Sequence, residues 1–460
     1  MERRPATVTE VRGRRVAVLG LGVEGTSAAR WLLRHGAEVT VCDRRTRTAL
    51  GPVIRELVGH GVTDFRLGPR HADRLTDFDI VIRTQSRPYR DPRIQRAIRR
   101  GTTVTSVTKL FFERCPAKVI GVTGTKGKGT TSSLIARMLK AAGKRVYLGG
   151  NIGMSPLDFL DRLRKGDHVV LELSSFQLQD LTQSPSIAVV TNVTADHLDH
   201  HASVREYRSA KRPITRHQRR TDLAILNADD PGSHPFAGDP GRTSWFSTRR
   251  PQPRGACVRD GWVVVRGRRV LRTADIVVPG THNLRNVLAA SLAADALGIG
   301  PRVITKTVRR FRGLPYHFEY LGTKQGVRYF NDSYATNPTA AIPAIESIDT
   351  PLVLIVGGAK KGLSYDGLAR AILVKKVRAI ITIPPEGARV ARAVRIAARR
   401  SGKPAPRVVG AVRKGDLVRL ARRHAEPGDT VLFSPAAASF GWFPDYTERG
   451  RYFTEQVKGR

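Results

Sequence analysis

A glycine-rich segment, Gly121 to Leu134, constrains the fold of this chain more than any other feature. It reads GVTGTKGKGTTSSL, follows an apolar pair at 119–120, and runs into a helical pattern. The order of strand, glycine-rich loop, lysine and helix predicts a phosphate-binding loop. Glycines let backbone N–H groups converge on oxygen anions, and a helix N-terminus favours negative charge. Lys128 would then reach the β- and γ-phosphates of a nucleotide. The alternative, a tight turn with a surface lysine, accounts less well for the three glycines at this spacing.

The loop departs from the general nucleotide-binding pattern in two places. Gly129 follows the lysine, where a hydroxyl normally contacts Mg²⁺, so Thr130 or Thr131 would supply that hydroxyl. Val122 stands where the first glycine of the general pattern belongs, which gives the spacing G-x-x-G-x-x-G-K. The residues of this segment that we expect to bind ATP are Gly121, Thr123, Gly124, Thr125, Lys126, Gly127, Lys128, Gly129 and Thr130.

Length and composition favour a multidomain protein of a reducing compartment. A chain of 460 residues is too long for one ordinary core, so we expect two or three domains. Cys42, Cys115 and Cys257 are isolated in sequence and offer no CxxC pair. No apolar run is long enough for a bilayer, and the first residues lack the apolar stretch of a signal peptide. We therefore predict a cytoplasmic protein with no membrane partner.

The formal net charge of +40 raises the alternative of a nucleic-acid-binding ATPase. Arginine and lysine are, however, spread through every segment, and no basic motif is interleaved with aromatic residues. A proteome-wide bias towards arginine explains the charge better, so we expect no nucleic-acid partner. Anionic substrates and nucleotides would still be attracted to such a surface.

The predicted fold class is α/β with three domains. Val16 to Asp43 reads as strand, G-x-G-x-x-G, helix, strand and acid, which is typical of a Rossmann-like domain. In the middle third, continuous apolar strands surround the phosphate loop, and the basic, turn-rich stretch 251–270 predicts a small β excursion. The last third repeats the α/β rhythm. The predicted domains are an N-terminal Rossmann-like domain, a central P-loop ATPase-type domain with a parallel sheet, and a C-terminal Rossmann-like domain, at 1–114, 115–314 and 315–460.

Two segments of the middle third carry candidate metal ligands. Glu172 ends an apolar strand, where a carboxylate can hold Mg²⁺ beside phosphates; the alternative is a solvated glutamate near a helix cap. Thr191 to His201 is rich in histidine and aspartate. Zinc is one interpretation of this cluster, but without cysteines we prefer Mg²⁺, with His197 as the ligand. Lys211, taken alone, is a solvated lysine on a basic helix.

Taken in order, Lys128, Glu172, His197 and Lys211 resemble the D-glutamate-adding branch of the Mur ligase superfamily, whose members use ATP to join amino acids to carboxylates. The resemblance implies that these four residues are catalytic and that CO₂ carbamylates Lys211. It also implies that Thr130, Glu172, His197 and the Lys211 carbamate hold Mg²⁺. The implied substrates are UDP-N-acetylmuramoyl-L-alanine and D-glutamate, joined through an acyl phosphate in cytoplasmic peptidoglycan precursor synthesis.

The resemblance continues in order over nearly the whole chain. The motifs that carry it lie at 150–153, 227–230, 280–286, 331–337, 357–361, 434–440 and 445–450. The further nucleotide contacts that it implies are Asn283, Asn286 and Asp332. The implied contacts to the UDP substrate are Gly22, Val23, Glu24, Asp43, Arg44 and Asn151. The implied contacts to the amino acid are Thr336, Lys361, Ser439 and Tyr446. We expect a monomer.

Three departures from the family pattern accompany the resemblance. The family usually has His-Arg where this chain has Tyr316-His317, and often has Lys at the position of Tyr334. Its uridine loop usually reads Ser-Pro-Gly, which residues 82–87 replace here. Related alternatives are a Mur-type ligase that adds alanine or L-glutamate, and a folylpolyglutamate synthase-like ligase, which lacks the N-terminal Rossmann-like domain.

Overall fold

The computed structural model describes residues 10–194, 203–360 and 362–459. Three β-sheets alternate with helices, which confirms the predicted three-domain α/β class. By contacts the chain forms two compact units, Met1–Leu271 with Arg285–Thr307, and Arg272–Leu284 with Val308–Arg460. The predicted boundaries near 115 and 315 stay predictions. Within the described ranges, no helix combines the length and apolar composition of a membrane span.

The first sheet is a five-stranded parallel sheet in the first unit. Its strands are β1 (Arg15–Leu19), β2 (Glu38–Asp43), β3 (Asp64–Leu67), β4 (Ile80–Arg83) and β5 (Thr103–Ser106). The helices between and after them are α1 (Val23–Arg34), α2 (Gly51–Gly59), α3 (Pro92–Arg99) and α4 (Val107–Arg114). The strand order is β3-β2-β1-β4-β5. The order reverses beside β1, so the carboxyl end of β1 is a switch point, where such sheets bind ligands.

The second sheet has nine strands and belongs to the same unit. Its strands are β6 (Lys118–Thr123), β7 (Val146–Gly150), β8 (His168–Glu172), β9 (Ile187–Val190), β10 (Leu223–Asn227), β11 (Arg242–Ser247), β12 (Ala256–Arg259), β13 (Trp262–Val265) and β14 (Arg268–Arg272). They lie in the order β14-β13-β12-β11-β10-β9-β6-β8-β7. Pairing is parallel from β7 to β12, and β12 pairs antiparallel with β13. The predicted β excursion at 251–270 is therefore confirmed as an extension of this sheet.

Among the described residues, six α-helices accompany the second sheet in the sequence. They are α5 (Lys128–Ala141), α6 (Ser175–Leu178), α7 (Val204–Lys211), α8 (Pro213–Arg216), α9 (Thr281–Ala296) and α10 (Pro301–Arg310). α5 follows β6 directly through the glycine-rich loop, as the sequence predicts. α6 begins with a capping box, in which Ser174 and Gln177 satisfy each other's backbone amides. This box fixes the segment that follows β8.

The third sheet lies in the second unit. Its strands are β15 (Glu319–Lys324), β16 (Val327–Asn331), β17 (Leu352–Gly357), β18 (Val377–Ile383), β19 (Arg407–Gly410) and β20 (Thr430–Phe433). Its helices are α11 (Pro338–Glu346), α12 (Asp366–Val374), α13 (Glu386–Ser401), α14 (Asp416–His424) and α15 (Tyr446–Lys458). The order is β15-β16-β20-β17-β18-β19, parallel except for the β15–β16 edge pair.

The first two sheets share one apolar core. Phe111 of α4 meets Phe159 edge-on, with ring centroids 5.8 Å apart, and both side chains are fully buried. Polar contacts reinforce this packing: the Trp31 Nε1 donates to Asp161 Oδ1 at 2.9 Å, and the Ser27 hydroxyl donates to Asp158 at 2.8 Å. Burying one aromatic side chain contributes about 1.5–3 kcal/mol, so this shared core fixes the first sheet against the second.

Candidate active site

The phosphate loop connects β6 to α5. Gly127 precedes the helix with φ of +84°, and a Cβ there would lie 2.3 Å from Asn286 Oδ1. A side chain at this position would be strained and would also collide, so both the backbone and the neighbour require glycine. Asn286 of α9 is buried and also contacts the Thr131 hydroxyl, at 3.4 Å. One predicted nucleotide contact, Asn286, therefore packs directly against the predicted loop.

The Lys128 ammonium lies over this loop. Lys128 is the first residue of α5, and its Nζ donates to the carbonyl oxygens of Gly124 and Thr125, both at 3.1 Å. Each of these bonds holds the cation above backbone amides that a phosphate would approach. The positive end of the helix dipole lies at the same place, which makes this a favourable position for anionic oxygens.

Lys211 is buried beside the same strand end. It is the last residue of α7 and is 1% exposed. Its Nζ lies 3.3 Å from the Thr123 hydroxyl and 4.7 Å from the centroid of the Tyr207 ring. Tyr207 in turn places its hydroxyl 3.3 Å from that of Thr125. A buried ammonium is costly unless neighbouring groups compensate it, so this lysine is not the solvated residue that its helix alone indicates.

A cavity of about 330 Å³ brings these groups together. It contains Lys128, Lys211 and Asn151, which the sequence assigns to nucleotide, metal and UDP substrate. Residues of the altered loop 82–87 also reach it. The full lining is Gln85, Ser86, Pro88, Lys128, Asn151, Ser174, Ser175, Phe176, Tyr207 and Lys211. Two cations, two side-chain amides and several hydroxyls make it suited to anionic, hydrogen-bonding ligands.

Glu172 is held next to this cavity by Asn151. It ends β8, one strand away from β6, and is 4% exposed. The Asn151 side-chain amide donates to Glu172 Oε1 at 2.9 Å, and the Asn151 backbone N–H donates to the Glu172 carbonyl oxygen at 2.9 Å. The carboxylate is therefore ordered at the carboxyl end of the parallel strands, as the sequence predicts, and is not a solvated surface group.

Of the four predicted metal ligands, the structure describes Thr130, Glu172 and Lys211. His197 lies outside the described residues. Thr130 is half-buried in the first turn of α5, and the described ranges contain no group of three or more His, Cys, Asp or Glu residues placed to hold a metal ion. The Glu172 carboxylate and the Thr130 hydroxyl fit Mg²⁺, which prefers oxygen ligands. The Lys211 side chain, which is itself positively charged as an ammonium, can hold Mg²⁺ only after conversion to a carboxylate-like carbamate.

The acid of the first Rossmann-like segment is satisfied within the protein. Asp43 is 5% exposed, and its oxygens accept from the backbone N–H groups of Leu21 and Arg45 and from the Arg45 guanidinium. Burial raises the pKa of Asp43, but these hydrogen bonds outweigh it and lower the pKa to about 2. Arg44, another predicted contact, is exposed.

Glu24, in α1 of the first sheet's layer, is bonded to α6, which follows β8 of the second sheet. Its carboxylate accepts from Gln177 Nε2 at 2.6 Å and from the Gln85 backbone N–H at 3.1 Å. Burial raises the pKa of Glu24, against the effect of these two bonds. Gly22 caps α1, and the side chain of Val23 is 75% exposed. The bridge keeps the altered loop 82–87 next to α6.

Arg83 and Asp180 form a buried ion pair that sequence reasoning missed. Their side chains are 0% and 6% exposed, with 3.0 Å between Nη2 and Oδ1. Arg83 also donates to the carbonyl oxygens of Phe176, at 3.0 Å, and Arg87, at 2.9 Å. The sequence feature that could have pointed to Arg83 is its position: an arginine ends the apolar strand at 80–83, within the loop that departs from the family pattern.

In the second unit, Asp332 lies in a buried polar site. It accepts from the Ser434 hydroxyl at 2.7 Å and from the Phe318 backbone N–H at 3.1 Å. Burial raises the pKa of Asp332 to about 7. Arg449, which sequence reasoning did not select from its motif, is 1% exposed and binds the Ser333 hydroxyl and carbonyl. Burial lowers the pKa of Arg449 to about 10.

The other predicted contacts of this unit are distributed as follows. The Asn283 amide donates to the Pro279 carbonyl at 2.8 Å. Ser439 is buried and lines a cavity of about 10 Å³, room for about one water. Thr336 is half-buried, and Tyr446 is 36% exposed and meets Tyr334 edge-on. Lys361 lies outside the described residues.

The departures Tyr316-His317 and Tyr334 meet in space. The His317 ring stacks on the Tyr334 ring with centroids 3.7 Å apart. Burial lowers the pKa of His317, which favours the neutral ring. An aromatic pair therefore occupies one position where the family usually has arginine and one where it often has lysine.

Three family models match successive parts of the chain. They are the Mur ligase MurD-like N-terminal domain at 14–106, the Mur ligase middle domain at 122–294, and the Mur ligase glutamate ligase domain at 318–437. Their order follows the three sheets. A MurC structure from Thermotoga maritima shares the fold, with a TM-score of 0.58, 22% identity, and coverage of 97% of this chain and 99% of that one. A MurF structure from the same organism in complex with ADP has a TM-score of 0.56, 17% identity, and coverage of 99% and 98%.

Curated relatives are similar over nearly their full length. UDP-N-acetylmuramoylalanine–D-glutamate ligase of Symbiobacterium thermophilum is 40% identical over 451 residues, 96% of this chain and 98% of that protein. The protein of the same name in Acetivibrio thermocellus is 38% identical over 454 residues, 97% of each. Together with the matching order of domains, this similarity shows that the chain belongs to the UDP-N-acetylmuramoylalanine–D-glutamate ligase family of the Mur ligases.

Proposed function

We propose that this protein is an ATP-dependent ligase that adds D-glutamate to UDP-N-acetylmuramoyl-L-alanine in peptidoglycan precursor synthesis. The observation that carries the proposal is the cavity where Lys128 and Lys211 meet Asn151 and the loop at 85–88. A nucleotide held by the phosphate loop and an acceptor held by the first domain would present their reacting groups to the same space. The full-length similarity to ligases of this name supports the same reaction.

The reaction has two steps. The terminal carboxylate of UDP-N-acetylmuramoyl-L-alanine attacks the γ-phosphorus of ATP, which forms an acyl phosphate and releases ADP. The amine of D-glutamate then attacks the acyl carbon, and phosphate leaves from the tetrahedral intermediate as the amide forms. Lys128 neutralises charge on the transferred phosphoryl group, and the loop amides hold the nucleotide. Catalysis of this kind depends chiefly on positioning and on electrostatic stabilisation.

Thr130, Glu172, His197 and a carbamylated Lys211 are the proposed Mg²⁺ ligands. When bound, the cation would neutralise the negative charge of the phosphates. The support from the structure is the burial of Lys211 beside the Thr123 hydroxyl, at the strand end that begins the phosphate loop. CO₂ would add to the deprotonated Lys211 amine, with the protons released to solvent, and the product would be an anion at the end of β6, which pairs with the strand that Glu172 ends. Asn151 orients Glu172 for the same role.

The remaining predicted residues are proposed to bind the substrates. Gly22, Val23, Glu24, Asp43 and Arg44 would act at the UDP end. Glu24 and Asp43 already accept hydrogen bonds from the protein. We therefore propose that they shape the loops that bind the UDP end of the substrate. Asn283, Asn286 and Asp332 would act on the nucleotide, and Thr336, Lys361, Ser439 and Tyr446 on D-glutamate. We propose that the protein acts as a monomer in the cytoplasm.

One assay tests this function. Phosphate release is measured with ATP, Mg²⁺ and UDP-N-acetylmuramoyl-L-alanine, in parallel with D-glutamate, L-glutamate and L-alanine. We expect turnover that requires the acceptor and prefers D-glutamate, and mass spectrometry should show the dipeptide product. Preference for either other amino acid, or ATP hydrolysis that DNA or RNA stimulates and the acceptor does not, contradicts the proposal.

A further inference from the structure

Arg87, in the altered loop 82–87, has no part in the mechanism above. Its Nη2 lies 2.5 Å from Nε2 of His71, a side chain that is 3% exposed. His71 Nδ1 lies 2.6 Å from the Gly68 carbonyl oxygen, which can only accept, so Nδ1 carries the ring proton. Nε2 of the neutral ring then accepts from the Arg87 guanidinium. Burial lowers the pKa of His71, and the charge of Arg87 lowers it further, which favours this neutral form.

The bond between Arg87 and His71 crosses the carboxyl edge of the first sheet. Arg87 follows β4 and His71 follows β3, and the order β3-β2-β1-β4-β5 puts two strands between them. Neighbouring strands are about 4.8 Å apart, so the bond joins loops whose strands lie about 14 Å apart. The Arg87 and His71 side chains, with their loops, therefore span the ends of β1 and β2. Asp43 and the glycine-rich turn at 20–25 lie at these ends.

Three further hydrogen bonds fix the main chain around Arg87. The buried Arg83 guanidinium donates to the Arg87 carbonyl oxygen at 2.9 Å, and the Arg87 backbone N–H donates to the Thr84 carbonyl oxygen at 3.1 Å. The Thr84 hydroxyl donates to the Leu19 carbonyl oxygen at 2.7 Å, which ties the loop to the end of β1. Because both its main chain and its guanidinium are held, Arg87 is positioned before a ligand binds, which lowers the entropic cost of binding.

The positive charge of Arg87 has little compensation within the described part of the chain. Its guanidinium has five N–H donors, and the neutral His71 ring takes one of them without supplying negative charge. No carboxylate of the described residues forms an ion pair with this half-buried arginine. Burial lowers the pKa of Arg87, and nearby Asp91 and Asp43 do not offset this. An anionic ligand would supply the missing charge.

The loop that carries Arg87 faces two places at once. Gln85, Ser86 and Pro88 line the cavity of the candidate active site. Arg87 stands among them in the sequence, but its guanidinium bonds to His71 at the edge of the first sheet. An acceptor that presents its carboxylate in the cavity would therefore carry its other end past Arg87, towards the ends of β1 and β2.

We propose that Arg87 binds the diphosphate of the UDP-linked acceptor and that His71 is its positioning residue. The proposal rests on the proposed function, which assigns the UDP end to this edge. The planar fork of a guanidinium can bond to two phosphate oxygens at once. α1 begins at the same edge, and its N-cap residue Gly22 offers no side-chain cap, so the first N–H groups of the helix can bind the same anion.

The test measures the binding of UDP and of uridine to the full chain by calorimetry, with saturating ADP and Mg²⁺ to fill the phosphate loop. For Arg87→Ala we expect the Kd of UDP to rise about tenfold or more, and the Kd of uridine, which lacks phosphates, to change less than about twofold. Arg99→Ala is the matched control. It removes an exposed arginine at the end of α3, which carries the chain back to the start of β5 at the opposite edge, and should change neither Kd.

Two variants of His71 test the positioning role. His71→Gln keeps an oxygen that can accept from Arg87, whereas His71→Leu keeps only the bulk of the side chain. His71→Leu should raise the Kd of UDP about three- to tenfold and leave that of uridine unchanged, and His71→Gln should recover part of this loss. Thermal unfolding of each variant checks the fold. A purely structural histidine would change stability without this difference between the two ligands.

Three results would overturn the proposal: an unchanged Kd of UDP in folded Arg87→Ala, an equal loss of affinity for uridine, or a wild type that does not bind UDP. Failure of the proposed reaction gives a different result. A wild type that binds UDP but ligates no D-glutamate would refute the reaction alone, and the comparison between Arg87→Ala and Arg99→Ala would still decide whether Arg87 contacts the diphosphate.

Discussion

The Lys211 ammonium lies 3.3 Å from the hydroxyl of Thr123, the last residue of β6, where the phosphate loop begins. Thr123 in turn donates to the Leu173 carbonyl oxygen at 2.7 Å, directly after Glu172. A lysine at the end of a helix is thereby joined to two strand ends of the parallel sheet. This relationship places Lys211 where a group can act on both the nucleotide loop and Glu172.

We expect Lys211→Ala to lose activity and to regain part of it when acetate or another short carboxylate is added. The reason is that the proposed carbamate acts as a carboxylate, which a small acid can replace in the space left by the side chain. The measurement is phosphate release over a series of acetate concentrations. Lys128→Ala is the control, because its missing cation cannot be replaced by an anion. Rescue of both variants, or of neither, contradicts the carbamate.

We expect Lys128→Ala to abolish ATP turnover while the fold stays intact. The ammonium lies over the loop carbonyls of Gly124 and Thr125, so its loss removes the charge that would meet the γ-phosphate. Activity and thermal unfolding should be measured together. Lys140→Ala, which alters an exposed lysine at the other end of α5, is the control and should retain activity. Normal turnover by folded Lys128→Ala would show that this loop has another role.

We expect Lys361→Ala to raise the KM for glutamate about tenfold or more and to leave the KM for ATP little changed, since a hydrogen bond between charged groups contributes about 1.5–3 kcal/mol. Lys360→Ala is the natural control, because it removes an exposed lysine from the neighbouring position. Steady-state kinetics with each substrate varied in turn give both constants. Similar effects of the two variants would mean that the charge of the segment matters and that Lys361 has no specific contact.

Asp332 should make stability depend on pH near neutrality. Burial raises its pKa to about 7, so the folded protein keeps a proton that the unfolded chain has already lost. Its contribution to stability is therefore full below about pH 4 and is lost as the pH rises through about 7. Relative to Asp332→Asn, the free energy of unfolding of the wild type should fall over this range, by at most about 1.4 kcal/mol per pH unit. Denaturant unfolding of both proteins from pH 4 to 8 measures the difference, and parallel curves would contradict it.

Breaking the buried pair of Arg83 and Asp180 should destabilise the first unit strongly. Arg83→Met leaves the Asp180 carboxylate buried without its cation, and the cost of such a change is about 3–5 kcal/mol. The double variant with Asp180→Asn should cost less than the sum of the two single changes, because neither charge is then left unpaired. Denaturant unfolding of the four proteins gives the coupling energy. A coupling near zero would mean that the two side chains contribute independently.

The phosphate loop and the three-domain order can be predicted from the sequence because their signals are contiguous. A strand, its glycines, Lys128 and a helix follow one another without interruption. The role of Arg83 cannot be predicted in this way, since its partner Phe176 is 93 residues away and only the shared core brings them together. Asp43 shows a second limit of prediction from the sequence. A local pattern identifies an acid at the end of β2, but not that Arg45 and Leu21 already bind both of its oxygens.

The inward orientation of the Glu24 and Asp43 carboxylates has an electrostatic consequence for ligand capture. Both carboxylates accept hydrogen bonds from donors of the protein itself. Neither therefore presents an uncompensated negative charge to a ligand at the carboxyl edge of the first sheet. The chain has a formal net charge of +40, and Arg44, which follows β2 at this edge, is exposed, so a diphosphate that approaches is attracted. Its association rate constant should therefore fall as ionic strength rises, because added salt screens an attraction.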